Sequence, residues 1–259
     1  MSGYLALEHL LRRDRAIVVV GTAAVAALAW AYLASGAGMD TEMMADMPDM
    51  APMPWTPLYA ALLFAMWWVM MIAMMVPSAA PAILLYATIK RRQENTFGGA
   101  METWIFLAGY LLAWAGFSLV AVLAQWALDR TGLLSVAMAS TSISLGGTLL
   151  LVAGLYQFTP LKGACLRSCR SPLLFLSRYW QAGGAGALRM GLRHGSYCVG
   201  CCWFLMALLF VSGVMNLVWI IAIALYVAGE KLLPFGRSLS YAAGVSLTLA
   251  GTIVLARAL

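Results

Sequence analysis

The sequence predicts an all-α polytopic membrane helix bundle with about seven transmembrane helices and a cytoplasmic N-terminus. Three observations carry this. Of the 259 residues, 63% are hydrophobic and only 10% are charged, and the mean hydropathy of +0.88 lies far outside soluble composition. Several charge-free runs reach the roughly 20 apolar residues that a helix needs to cross a bilayer core about 30 Å thick. These runs are continuous, whereas the strands of a barrel would alternate. The Lys and Arg residues flank the runs and form no separate domain, so the pI near 9.2 reads as topology and not as nucleic-acid binding.

The first candidate span covers residues 16–35. Arg12, Arg13 and Arg15 precede it as they would in a signal peptide, but the run exceeds the roughly 7–15 residues of a signal core and is read as a retained helix. The second span covers 57–77, which Pro77 and Pro81 of "VPSAAP" should end or kink before "AILLYATIK" continues helically. The third and fourth cover 103–126 and 141–160. Residues 201–233 exceed one comfortable span, and "SGVMN", with Gly213 and Asn216, divides them into 196–214 and 216–233. The last span covers 238–257, and the whole chain, 1–259, reads as a single membrane domain.

Placing the N-terminus inside puts fourteen of the sixteen basic residues in the cytoplasm and leaves only Arg130 and Arg257 outside, as the positive-inside rule requires. Residues 39–54 then form an extracytoplasmic Met/Asp-rich loop, and residues 161–195 a basic cytoplasmic loop whose arginines and aromatics suit the level of the headgroups.

The outer loop, "MDTEMMADMPDMAPMP", holds Met39, Met43, Met44, Met47, Met50 and Met53, together with Asp40, Glu42, Asp46 and Asp49, and no basic residue. A thioether is a soft ligand that survives where a thiol oxidises, so such a cluster suits Cu(I) and poorly suits Zn(II) or Mg(II). The carboxylates attract cations. The competing reading is an ordinary polar connector with methionine as adaptable filler. In the following span, Met66, Met70 and Met74 recur at every fourth residue, with Met71 and Met75 beside them, giving one sulfur-bearing helix face. That face is either a thioether ladder for Cu(I) or plain packing.

All five cysteines fall on the opposite side. Cys165 and Cys169 lie in "PLKGACLRSCRSP"; Cys198, Cys201 and Cys202 lie in "RHGSYCVGCCWFLM", with His194 one turn earlier. A reducing compartment makes disulfides a poor explanation. Two to four sulfurs with an imidazole suit a Cu(I) or Zn(II) site, and buried free cysteines that merely pack are the alternative.

"MWWVMMIAMMVPSAAP", "GLYQFTPLKGACLRSCRSP" and "GLRHGSYCVGCCWFLMALLFVSGVMNLVW" followed by "EKLLP" resemble the bacterial family described as predicted metal-binding integral membrane protein, domain of unknown function 2182. The resemblance covers roughly residues 55 to 235. It implies a multi-pass protein of the bacterial inner membrane with a metal site at Cys165, Cys169, His194, Cys198, Cys201 and Cys202, and at Met74 and Met75. It implies no particular activity, and the outer methionine loop lies beyond it.

Several classes are excluded or disfavoured. His9 and His194 are the only histidines, too few for a multi-histidine copper oxygenase, and no helix interior carries a carboxylate pair for a di-iron centre. There is no c-type haem attachment sequence and no P-loop. Glu102 and Glu230 sit near span ends, where snorkelling or pairing with basic neighbours is expected, so buried ionisable groups of the proton-coupled kind are expected to be missing. Three functions remain: a copper-handling protein that relays or stores Cu(I), with zinc an alternative at the cysteines, and serves a membrane copper enzyme; a structural or accessory subunit of a larger membrane complex, with Gly109, Gly116, Gly146 and Gly147 in helix contacts; and a membrane thiol oxidoreductase using Cys198 and Cys201. Copper handling accounts for the most sulfur, with membrane lipids and a copper enzyme as the expected partners.

Overall fold

The computed structural model describes residues 2–35, 54–93, 98–134 and 141–258. Among these residues the fold is all-helical, without strands: α1 Ser2–Ala34, α2 Pro57–Gln93, α3 Gly98–Arg130, α4 Ile143–Tyr156, α5 Pro160–Arg170, α6 Pro172–Tyr179, α7 Gly183–Ala207, the short α8 Leu209–Ser212, α9 Leu217–Leu232 and α10 Gly236–Ala256. The outer methionine segment, with Met39, Met43, Met44, Met47, Met50 and Met53, lies outside the described residues.

Among the described residues, four helices are long and apolar enough to cross a membrane: Pro57–Arg92, Gly99–Arg130, Gly183–Ser212 and Gly236–Ala256. The bent pair α4 and α5 makes a fifth if it counts as one span. Val18–Ala34 is a shorter apolar helix, and α9, Leu217–Leu232, has 16 residues. Of the two outcomes expected at the prolines, an end at residue 77 does not occur, because α2 runs through both Pro77 and Pro81, and "AILLYATIK" continues helically as expected. Proline removes the donor to the carbonyl four residues earlier, here those of Ala73 and Pro77, and two hydroxyls nearby fall on a different carbonyl, that of Met75. Ser78 Oγ donates to the Met75 carbonyl at 2.9 Å, and Tyr110 Oη to the same oxygen at 3.2 Å.

The break at "SGVMN" falls where the turn chemistry places it. Gly213 adopts φ +92°, a conformation that suits glycine, and the Asn216 side chain caps α9 by accepting from the Val218 and Trp219 N–H groups. The 66° bend between α4 and α5 follows from "FTP": Thr159 caps α5 through the Lys162 N–H, with Pro160 at its first position. Residues 161–195, expected as a loop, are mostly helical, forming α5, α6 and the first half of α7.

α2 lies at the centre, packed against α1, α3 and α9, while α3 runs along α7 and α4 along α10. The α3–α7 seam is close because α7 presents glycines to it. A Cβ on Gly195 would stand 2.9 Å from the Tyr110 carbonyl oxygen, and one on Gly191 would collide with the Phe106 carbonyl. This closeness sets Tyr110 against the cysteines of α7. Gly109 serves the same seam, whereas Gly116 has nothing within 4 Å of its Cβ position.

Candidate metal centre

Three helices converge on Cys198. It lies on α7 and is 1% exposed, and its sulfur receives two polar neighbours: Lys231 Nζ of α9 at 2.9 Å and Tyr110 Oη of α3 at 3.1 Å. Lys231 also donates to Ser78 Oγ of α2 at 3.1 Å. Three and four residues further along α7, Cys201 and Cys202 are fully buried, and both thiols donate back to the Cys198 carbonyl, at 3.1 and 2.9 Å. This i, i+3, i+4 spacing puts all three sulfurs on the side of α7 that faces the protein interior.

The methionine face of α2 meets them. Met66, Met70, Met71, Met74 and Met75 are all buried, at 0–2% exposure. Met75 is the member that touches the cysteines, with its Sδ 3.9 Å from Cys202 Sγ and 4.0 Å from Lys231 Nζ. Cys169, brought in by α5 and partly buried, interacts with the side chains of Cys198 and Cys201. Cys165 lies at the edge. It lines an apolar groove of about 550 Å³ with Gly116, Tyr156, Trp203 and Gly200, and a Cβ on Gly200 would come within 2.8 Å of its sulfur.

His194 is 3% exposed and caged by the rings of Phe106, Tyr110 and Phe175, at centroid distances of 6.2, 5.9 and 5.0 Å. Its Nδ1 has no hydrogen-bond partner. The structure thus brings Met75, Cys169, Cys198, Cys201 and Cys202 together, keeps Cys165 and His194 at the margin, and buries Met70 and Met74 on α2 just before Met75. Among the described residues, no three Cys, His, Asp or Glu side chains stand as a ready-made coordination shell. The soft donors include a thioether, and the thiols are turned toward backbone oxygen and the ammonium of Lys231.

The expectation that buried ionisable groups would be missing is overturned. Lys162 is 1% exposed and Glu230 0%, and they form a 2.6 Å ion pair. Glu230 also accepts from Tyr226 Oη at 2.9 Å and from Ser240, and Lys162 donates to Gln157. Lys90 is 2% exposed and pairs with Glu102 at 2.6 Å. Sequence reasoning counted Lys162, Lys90 and Lys231 as loop cations because each lies near the end of an apolar run. The available signal was the adjacency of Glu230 and Lys231, since residues in sequence on a helix point to different neighbours and each needs its own partner. Tyr110 and Ser78 carried no sequence signal.

A family model described as PpoB2, copper chaperone, matches residues 64–254. No curated protein and no solved structure matches the chain.

Proposed function

This chain belongs to the PpoB2 copper chaperone family, and we propose that it is a membrane protein that takes up Cu(I), holds it among buried sulfurs and passes it to a copper enzyme. The 3.9 Å separation of Cys202 Sγ from Met75 Sδ carries this reading. Two sulfurs that share one ion at about 2.3 Å each stand about 3.8–4.0 Å apart in tetrahedral or trigonal geometry. A mixed thiol and thioether set favours Cu(I) over harder ions and, through the thioether, over zinc.

Around that pair, Cys198, Cys201 and Cys169 supply further thiols, with Cys165 and the imidazole of His194 at the margin. Loading needs the thiols to turn from the Cys198 carbonyl toward the cargo, a side-chain rotation within one helix turn. The buried apolar walls keep water and oxidants away. A chaperone must also let go, and the Lys231 ammonium beside Cys198 serves that end: a fixed cation near an incoming cation limits affinity through charge repulsion in a poorly screened interior.

In this account the five long apolar spans, with the shorter Val18–Ala34 and Leu217–Leu232, make seven crossings of a bacterial inner membrane with the N-terminus inside. The outer segment with Met39, Met43, Met44, Met47, Met50 and Met53 gathers copper, and Met70 and Met74 lie between that side and Met75. Anaerobic reconstitution of the full chain with Cu(I), followed by gel filtration and metal analysis, tests the reading. The expected result is about one copper per chain held inside the bundle; a clearly substoichiometric content would overturn it.

A further inference from the structure

A separate groove of about 460 Å³ opens between α6 and the first half of α7, lined by Tyr179, Arg189, Leu192, Arg193, Ser196 and Tyr197 among others. Its cations are exposed, and Arg178 stands at its rim. The ion pairs among the described residues join Lys90 to Glu102 and Lys162 to Glu230, so no described carboxylate neutralises Arg178, Arg189 or Arg193. The positive charge is also positioned. The Arg193 guanidinium lies 4.1 Å from the centre of the Tyr179 ring, and the Tyr179 hydroxyl is hydrogen-bonded to that of Tyr197 at 3.1 Å. Stacking of this kind fixes the plane of an arginine and leaves its N–H edge free for an anion.

The groove's surroundings identify the source of the anion. α6 buries Phe175 and Leu176 at 3% and 0% exposure but presents Leu173 and Leu174 outward at 66% and 68%. On α7, Leu188 and Leu192 are exposed beside the arginines. A short helix with leucines outward and an arginine at its end matches a segment lying at the boundary between headgroups and acyl chains. A water-soluble anion would need the cations and would gain nothing from the leucines. A phospholipid uses both.

We propose that this groove binds the headgroup of an anionic phospholipid, with Arg189 and Arg193 on its phosphate and its acyl chains along Leu188 and Leu192. The inference rests on the membrane part of the proposed function and is independent of copper. Its ligand class is an anionic phosphodiester carrying hydrocarbon chains, and its role is to fix α6 against the membrane surface next to the sulfur pocket.

The test uses the full chain, delipidated in a neutral detergent and titrated with phosphatidylglycerol under native mass spectrometry. One phosphatidylglycerol per chain should be retained, and phosphatidylcholine with the same acyl chains should bind far more weakly. The double variant Arg189→Gln/Arg193→Gln should weaken retention about thirtyfold, whereas Arg130→Gln/Arg257→Gln, with the same charge change elsewhere, should leave it unaltered. Equal binding of the two lipids, or undiminished retention by the first double variant, would overturn the proposal. Displacement of the lipid by inorganic phosphate at comparable concentration would assign the groove to a free anion and overturn the lipid. Failure of the wild-type chain to float with liposomes would instead count against the membrane reading, and this is read separately.

Discussion

Lys162 Nζ and Glu230 Oε1 stand 2.6 Å apart, joining α5 to α9 with both side chains almost entirely out of contact with solvent. The pair ties the helix that carries Cys165 and Cys169 to the helix that carries Lys231, so it positions two sides of the sulfur pocket. A buried ion pair adds little net stability over an apolar pair of the same volume, but removing one partner leaves an uncompensated charge. The Glu230 Oε2 atom already lacks a hydrogen-bond partner.

Glu230→Gln is therefore expected to destabilise the protein by about 3–5 kcal/mol, a fall in Tm of about 10 °C for a domain of this size. Thermal unfolding in detergent measures it. The double change Lys162→Met/Glu230→Leu should recover most of the loss. Equal damage from the single and double variants would show that the charges are not what joins the helices.

Met75→Leu conserves volume and should cost less than about 1.5 kcal/mol of stability, while the loss of a sulfur contact to Cys202 should lower Cu(I) affinity by about tenfold or more, in the range typical of perturbed metal sites. Met70→Leu, which removes a thioether farther along α2, should lower it less. Competition against a Cu(I) chelator reads both. Equal effects from the two variants would contradict the assignment of Met75 as the contacting thioether.

Gly195→Ala tests the close seam. Its Cβ would stand 2.6 Å from the Ala113 Cβ and 2.9 Å from the Tyr110 carbonyl oxygen, so α3 must move away from α7 and take Tyr110 from Cys198. A loss of about 1–3 kcal/mol is expected, together with weaker copper binding. Gly116→Ala, with open space at its Cβ, should leave both within error. Thermal unfolding and chelator competition on the two variants decide it.

The apparent Cu(I) affinity should fall as pH falls below neutrality, because each thiol that binds the ion must first lose its proton, and binding should release protons to the medium. Proton release measured in weakly buffered solution during anaerobic titration checks this. An affinity independent of pH would point to thioethers alone as ligands.

Much of the fold was legible in the sequence because long apolar helices announce themselves by length and composition. The break between α8 and α9 was readable from Gly213 and Asn216, whose turn and capping roles need no tertiary context. The extent of α2 was not, since a proline reads in sequence as a stop or a kink, whereas α2 continues through Pro77 and Pro81. The sulfur types were visible, and so was their gathering on α2 and α7. Which sulfurs meet was not, because the meeting of Met75 with Cys202 depends on how far α2 slides along α7. The buried charges were missed for the same reason: Lys162 and Glu230 look like span-end residues until α5 folds back toward α9.

The central claim is that the buried sulfurs of α2 and α7 together hold the cargo, and X-ray absorption at the copper edge of the Cu(I)-loaded chain tests it most directly. The account expects a shell of sulfur alone at about 2.3 Å, lost when Cys198, Cys201 and Cys202 are changed together to serine. A shell dominated by nitrogen or oxygen, or one that survives the triple substitution, would contradict it.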